Sequence, residues 1–386
     1  MSAHNAVRAC IITNPRGGKG EIDLAPVLPV LAANGWQVEV RQKRHGGEAT
    51  KLAREAIEHG FDVIVAAGGD GTVGEVVDGA VGGDAAVGVL PGGTANLWAH
   101  EIGVSTDLAT AALQLVGAQR RRVDVGHVAI NGGHGQHFLL MAGLGIDASV
   151  LARLSKPLKK KAGVLAYLPA IVRSLPSATP FDVQLDLDGV AWTGKAVQIV
   201  VGNTRRFADV TKATPDAIVD DGRLDVCVLM PGNPISGLDQ LATLLLRQHP
   251  NPRSSLNDRV ARLSVRTAAV TPLETDGGRV KQDDIEPSSE GVRYDFTVRT
   301  QALAMLVPRD YSGPLFQAPP VIEIEESARH RGKRWHRVIA VGVGGVTAAR
   351  LKDGKSRSIR VGPETRLTGA DGEARSRDAC LSSLME

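Results

Sequence analysis

The sequence predicts an α/β domain built on a mainly parallel sheet, followed by a mostly antiparallel β domain. Three observations predict it. Short β-branched runs alternate with helical stretches through the first third of the chain. From about Val123, strand candidates follow one another closely with hairpin signals between them. Glycine-rich turns close two of the early strands, where ligands of such sheets bind. The 386 residues suffice for two cores.

The first domain, residues 1–124, carries strands at 9–13, 37–41, 62–66 and 87–90. Between them, Ala49, Leu52, Ala53, Ala56 and Ile57 recur at helical spacing with Lys51, Arg54, Glu55 and Glu58 outside. In the second domain, residues 125–310, Asn131-Gly132-Gly133 and Asp188-Gly189 mark hairpins. Further strands are expected at 196–202, 224–229, 260–267, 294–299 and 302–307. A segment at 156–174 opens with Lys156, Lys159, Lys160 and Lys161 and continues as an apolar stretch. It reads equally as a peripheral contact with an anionic membrane and as a core helix with a solvated start. Beyond Pro308 the periodicity decays, and 317–386 reads as a basic, poorly ordered tail.

Composition narrows the function. The chain has 45 Lys and Arg against 42 Asp and Glu, a net charge of +3, while residues 329–386 alone hold 13 against 6. The basic excess therefore belongs to the tail and argues for no nucleic acid, and aromatics at 3% are too few for base-stacking platforms. No apolar run approaches twenty residues, so no spanning helix is expected. Cys10, Cys227 and Cys380 form neither a disulfide framework nor a metal spacing, and no signal peptide follows Met1; a cytoplasmic location is expected. His45, His127, His134 and His137 read as surface or hairpin residues rather than metal ligands.

Three loops carry the chemistry. Asn14-Pro15-Arg16-Gly17-Gly18-Lys19-Gly20 can close backbone N–H groups on an anion, but lacks the Gly-Lys-Ser/Thr of a Walker loop. Gly68-Gly69-Asp70-Gly71-Thr72-Val73-Gly74-Glu75 formally matches a dinucleotide fingerprint, yet it follows the third strand and no ribose-binding acid lies about twenty residues on. Asp70 would repel a phosphate unless a cation intervened, which suggests a Mg²⁺-nucleotide site; the other reading is a turn or helix-cap residue. In Pro91-Gly92-Gly93-Thr94-Ala95-Asn96, Thr94 and Asn96 can bind phosphate or cap the following helix.

Together with Val123-Asp124-Val125-Gly126, Met141-Ala142-Gly143-Leu144-Gly145-Ile146-Asp147, Gly202-Asn203 and Asp220-Asp221-Gly222-Arg223-Leu224, these blocks resemble the diacylglycerol kinase catalytic domain family, over residues 7–308. The resemblance implies a nucleotide-binding α/β domain, a β-sandwich-like second domain, and transfer of a phosphate from ATP to a lipid hydroxyl. It puts Asn14, Pro15, Arg16, Gly17, Gly18, Gly68, Gly69, Gly71, Thr72, Glu75, Gly93, Thr94 and Asn96 at the ATP, with Asp70 as the indispensable acid. A Mg²⁺ would sit on Asp221 with the carbonyls of Ile218 and Arg223. The expected partners are a membrane lipid substrate and the anionic inner membrane surface, touched transiently; a homodimer is compatible with this reading.

Departures from the family matter as well. Its late Asp-Gly-Glu, whose Glu is the general base, reads Asp276-Gly277-Gly278 here, and glycine accepts no proton. On an extended strand Glu274 would lie about 13 Å from position 278, so Asp276 is expected to take over. The family's Thr near the second strand is replaced by Gln42-Lys43-Arg44-His45, which reads as a solvated charge run before it reads as a phosphate contact. Two alternatives remain: a nucleotide- or lipid-binding pseudo-kinase, supported by Gly278, and NAD kinase, disfavoured by the first, third and Asp-Asp-Gly-x-Leu blocks.

Overall fold

The structure is a computed structural model describing residues 6–15, 20, 22–145, 180–206, 213–231 and 255–317, together with the backbone of six strands beyond them. The chain divides into two compact units, Met1–Phe316 and Gln317–Glu386.

The first unit opens with alternating strands and helices: β1 (Arg8–Thr13), α1 (Leu28–Ala33), β2 (Gln37–Gln42), α2 (Glu48–Glu58), β3 (Val63–Gly68), α3 (Asp70–Ala80), β4 (Ala86–Pro91), α4 (Leu97–Ile102) and α5 (Leu108–Gly117). β2, β1, β3 and β4 lie side by side in parallel, as the alternation predicts. β3 and β4 are buried throughout because helices cover both faces of a parallel sheet, which is why their runs are apolar without alternation. α2 buries Ala49, Ala53 and Ala56, and a Cβ added to Gly79 of α3 would stand 2.8 Å from that of Ala53. The two helices approach closely because residue 79 has no side chain.

The antiparallel part follows: β5 (Gln119–Ile130), β6 (Gln136–Phe138), β7 (Met141–Leu144), β8 (Phe181–Leu187), β9 (Val190–Ala196), β10 (Gln198–Gly202), β11 (Leu224–Leu229), β12 (Ser255–Val260), β13 (Arg262–Thr267), β14 (Leu273–Thr275), β15 (Gly278–Arg279) and β16 (Val292–Val307). Two sheets face each other over a core that includes Phe138, Leu144, Ile199, Val226, Tyr294 and Phe296. One runs β12-β11-β10-β7-β14-β15; the other extends the parallel strands as β4-β16-β13-β8-β9. The fold is thus a mixed α/β domain followed by a β-sandwich-like domain.

The expected boundary at residue 124 falls inside β5. β16 pairs with β5 from Tyr294↔Ile130 to Val307↔Gln119, with an irregularity between Arg299 and Leu303, and also joins β4 in parallel at Ala304↔Ala86. The strands expected at 294–299 and 302–307 are therefore one strand, shared by both parts. The strand expected at 260–267 splits at Ala261, with β12 in one sheet and β13 in the other. The Asp188 carboxylate holds this corner, accepting the N–H of Ala261 at 3.0 Å and of Arg262 at 2.8 Å.

The second unit differs from the expected poorly ordered tail. Its backbone forms β17 (Val321–Glu325), β18 (Lys333–Gly342), β19 (Gly345–Arg350), β20 (Ser356–Ile359), β21 (Leu367–Thr368) and β22 (Ala374–Arg375), a six-stranded sheet in the order β20-β19-β18-β17-β21-β22. Sequence reading misses it because five of its six strands have only two to six residues, between Gly- and Ser-containing turns that leave little alternation to detect. Among the described residues no helix is long and apolar enough to cross a membrane.

Candidate active site

The carboxyl ends of the parallel strands bring three expected loops together. Asn14 follows β1, and its Nδ2 donates to Thr72 Oγ1 over 3.5 Å. Gly68 to Thr72 join β3 to α3, and Gly92 to Asn96 join β4 to α4. Pro15 stands half-buried in the turn beside Asn14, while Arg16, Gly17 and Gly18 lie outside the described residues, as do Lys156, Lys159, Lys160 and Lys161.

Several of these glycines serve packing between loops. A Cβ on Gly69 would stand 3.1 Å from Gly93 Cα, one on Gly93 would strike Gly69 Cα, and one on Gly68 would stand 2.7 Å from Thr72 Oγ1. The second and third loops therefore touch backbone to backbone. Gly71 differs: it is exposed, and its Cβ direction opens into free space. The N–H groups of Thr72 and Val73 return to Gly69 O, and that of Gly71 has no protein partner among the described residues. Thr94 is likewise exposed without a protein partner among them.

Other expected ATP contacts have internal roles. Asn96, in the left-handed region at φ 49°, closes the third loop on itself: its Oδ1 accepts the Gly93 N–H at 2.8 Å and its Nδ2 donates to Gly93 O at 3.1 Å. These bonds use the Oδ1 and one of the two Nδ2 hydrogens to hold the loop. Glu75 accepts from Lys43 Nζ at 2.5 Å with Oε1 and from the Ala49 N–H at 3.1 Å with Oε2, so it caps α2. Asn96, Gly93 and Glu75 thus shape the site from within.

Lys43 is corrected. Rather than a solvated charge, it is 7% exposed at the end of β2, its N–H bound to Thr13 O at 2.9 Å. An ammonium carries three donors, and Glu75 takes one. Among the described residues the other two have no partner.

Asp70 combines both of its expected readings. Its Oδ1 accepts the Leu97 N–H at 2.6 Å, and the amides of Trp98 and Asn96 also bond to it, so it joins the second loop to the start of α4. Burial nevertheless pushes its carboxyl above the ordinary range.

The expectation that Asp276 replaces the missing base is not met. The segment 273–279 is not extended: β14 and β15 form a hairpin, with Thr275 opposite Gly278 and Glu274 opposite Arg279. Asp276 and Gly277 form the two-residue turn at φ 49° and 76°. Opposite residues share a face, so a side chain at 278 would lie with Thr275 and away from Glu274. The Asp276 carboxylate turns inward and accepts the N–H groups of Leu139 and Leu140, both at 2.7 Å, and of Met141 at 3.1 Å. It packs on α3, where a Cβ on Gly74 would stand 2.9 Å from that of Asp276. Burial, with Asp70 adding to it, pushes this carboxyl up to about 7. Asp276 is a positioning residue that fastens the hairpin to the 139–141 backbone.

The same backbone is gripped from its other side. Asn203 Nδ2 donates to Leu139 O at 2.8 Å and to Asp124 O at 2.9 Å, while the Asn203 N–H donates to Leu140 O at 2.9 Å. The Asp124 carboxylate accepts Gly222 N–H at 2.6 Å and Gln301 N–H at 2.7 Å. These structural roles of Asp124 and Asn203 were missed, although both stood in recognised blocks. Of the two readings of His127 and His137, surface or hairpin, the second holds: they face each other across the β5–β6 pair with their rings 4.8 Å apart and tilted, and His137 Nδ1 lies 3.0 Å from Asp78 Oδ1.

The metal expected on Asp221 does not fit the residues present. Asp221 Oδ1 accepts the Arg223 N–H at 3.0 Å, and Oδ2 is paired with the Arg259 guanidinium. A divalent ion there would have to displace a bound cation. Among the described residues no group of three His, Cys, Asp or Glu side chains is arranged to hold a metal.

Comparison with known proteins agrees with this architecture. Residues 8–128 match the diacylglycerol kinase catalytic domain, and residues 141–291 match the YegS C-terminal NAD kinase beta sandwich-like domain. A diacylglycerol kinase of Bacillus subtilis (strain 168) is 33% identical over 277 residues, covering 70% of this chain and 89% of that protein. A "probable lipid kinase YegS-like" protein of Pseudomonas aeruginosa (strain UCBPP-PA14) is 32% identical over 288 residues, covering 74% and 89%. The fold is shared with a crystal structure of a diacylglycerol kinase from Bacillus anthracis str. Sterne, with a TM-score of 0.59 at 22% identity, over 79% of this chain and 98% of that one. The chain belongs to the diacylglycerol kinase catalytic domain family of lipid kinases.

Proposed function

We propose that this protein transfers the γ-phosphate of Mg·ATP to a hydroxyl of diacylglycerol or a related membrane lipid. The observation that carries this reading is the set of donors at the strand ends: the Gly71 amide, the Thr94 hydroxyl and the two remaining donors of buried Lys43. Donors held in place by loop packing suit a polyanion, and phosphoryl transfer depends chiefly on positioning and charge neutralisation. The nucleotide brings its Mg²⁺ as part of the substrate, and that ion would neutralise phosphate charge next to Asp70.

Gly278 has no acid, and Glu75 is held by Lys43 and the Ala49 N–H; Asp70 and Asp276 both accept backbone amides, and of the two Asp70 stands at the end of β3 next to the Gly71 amide, so it is the acid assigned to receive the proton. In the reaction the lipid hydroxyl oxygen bonds to the γ-phosphorus, its bond to the β-bridging oxygen breaks, ADP departs, and the hydroxyl proton passes to the Asp70 carboxylate. The raised pKa of Asp70 is the direction a base requires. A loose transition state places little demand on that base, so the reading survives the loss of the family's Glu. The pseudo-kinase reading keeps one specific support, the absence of an acid at 278.

The test is ADP release by the purified protein with Mg·ATP, with and without vesicles containing diacylglycerol. Lipid-dependent release that disappears in Asp70→Asn supports the kinase. Nucleotide binding without lipid-dependent release supports the pseudo-kinase instead.

A further inference from the structure

The turn before β11 gathers acid without gathering a metal. Asp220, Asp221 and Asp225 lie within six residues of sequence, and the Asp124 carboxylate reaches the same turn through the Gly222 N–H. Like charges this close repel unless a cation stands among them. The structure supplies one from the neighbouring strand. Arg259, opposite Asp225 in the β11–β12 register, pairs through Nη2 with Asp221 Oδ2, while its Nε stands 3.6 Å from Asp225 Oδ2, an ion pair without a hydrogen bond, and burial with Asp221 and Asp216 nearby still pushes the Asp225 carboxyl up to about 6.

The side chains of Asp221 and Asp225 are 9% and 11% exposed, so the pairing is sheltered on the acidic side, while Arg259 itself reaches solvent. Of the other arginines nearby, Arg223 is occupied elsewhere and Arg121 serves the third acid of the turn, Asp220, not Asp221 or Asp225. Arg223 donates through Nη1 to Arg259 O at 3.2 Å and stands near Asp188, and Arg121 pairs with Asp220 at 3.5 Å. A planar guanidinium presents several donors at fixed angles and stays charged at every accessible pH, which suits it to bridge two carboxylates permanently.

We propose that Arg259 is the built-in cation of this turn: it holds Asp221 and Asp225 together at the position where the family resemblance implies Mg²⁺, and so frees the fold from free divalent metal there. The proposal concerns this chain's stability and is independent of its catalytic activity. It separates two uses of magnesium, one delivered with the nucleotide and one resident in the fold, and removes the second. A cleft of about 340 Å³ lined by Asp216, Asp225, Asp258 and Arg259 adjoins the pair, so an ion from solvent has access and the question is one of competition.

The experiment is thermal unfolding of the full chain, without nucleotide, after EDTA treatment and then across a millimolar MgCl₂ titration at constant ionic strength. The wild-type midpoint is expected to move by less than about 1 °C. Arg259→Ala should lower the midpoint by about 4–10 °C, and Mg²⁺ should recover part of that loss. The added change Asp221→Asn should abolish the recovery, because the carboxylate that would take the metal is gone. A saturable rise in the wild-type midpoint with Mg²⁺, absent in Asp221→Asn, would overturn the proposal. Since that comparison uses the wild type and a mild variant, it decides the matter even if Arg259→Ala does not fold.

Discussion

Restoring an acid at position 278 is the sharpest perturbation of the proposed chemistry. Gly278 opens β15, and a Cβ built on it meets only Thr275 O at 3.4 Å, an ordinary contact. Its backbone is outside the left-handed region, so Gly278→Glu fits without strain. The new side chain would share a face with Thr275 in a tight hairpin already fixed to the 139–141 backbone by Asp276. In the proposed reaction Asp70 acts alone in the wild type while tied to the amides that open α4, whereas a second carboxylate would be free to take the hydroxyl proton. A positioned base is worth roughly 10²–10⁴-fold; with Asp70 already supplying part, kcat should rise about 10–100-fold, or about 1.4–2.7 kcal/mol of barrier. KM for ATP should stay within about 2-fold, because the donors at the strand ends are untouched. The assay is transfer of labelled γ-phosphate to diacylglycerol in vesicles under saturating ATP. Unchanged or lower kcat in a folded variant would refute the idea that the missing base limits the rate.

Other expectations follow from neighbouring residues. Asp70→Asn should lower phosphate transfer at least about 10²-fold while leaving the circular dichroism spectrum intact, and the wild-type rate should fall with acid above the pH expected of an ordinary Asp, since burial raises this carboxyl. Lys43→Met should raise the Kd for ADP about 10-fold by calorimetry, but it also strands Glu75; pairing it with Glu75→Gln should recover thermal stability and leave nucleotide affinity weak. Asp276→Ala should cost about 3–6 kcal/mol in denaturant unfolding, because three buried amides lose their acceptor. The folded Asp276 carboxyl sits at about 7 against an ordinary 3.8, so the native state holds the proton more tightly than the unfolded chain. Its contribution to stability is therefore full below pH 4 and lost progressively as pH rises towards about 7, and Asp276→Asn should flatten that slope.

The loops were legible because their signal is local: a strand, a glycine run, then a helix. What each residue does inside them was less so. Asn96 is a residue type that binds phosphate, Glu75 and Asp70 are types that hold the cation beside it, and all three are equally types that satisfy helix termini and close loops; only the partner in space decides. Lys43 read as solvated because its partner is 32 positions away on α3. The hairpin at 273–279 could have been found, since Asp276-Gly277 is the dipeptide that favours a two-residue turn. Carrying the family's strand through it led to the extended geometry that the structure replaces. The boundary at 124 had no local signal at all, because β16 returns from the far end of the domain to complete a sheet begun by β1.

Mass analysis of the lipid product tests the central claim most directly. Purified protein is incubated with Mg²⁺, ATP carrying heavy oxygen in its γ-phosphate, and vesicles containing diacylglycerol among other membrane lipids. The account predicts one class of hydroxyl lipid that gains a single phosphate bearing the heavy label, absent with Asp70→Asn. Nucleotide binding with every lipid recovered unphosphorylated would contradict it.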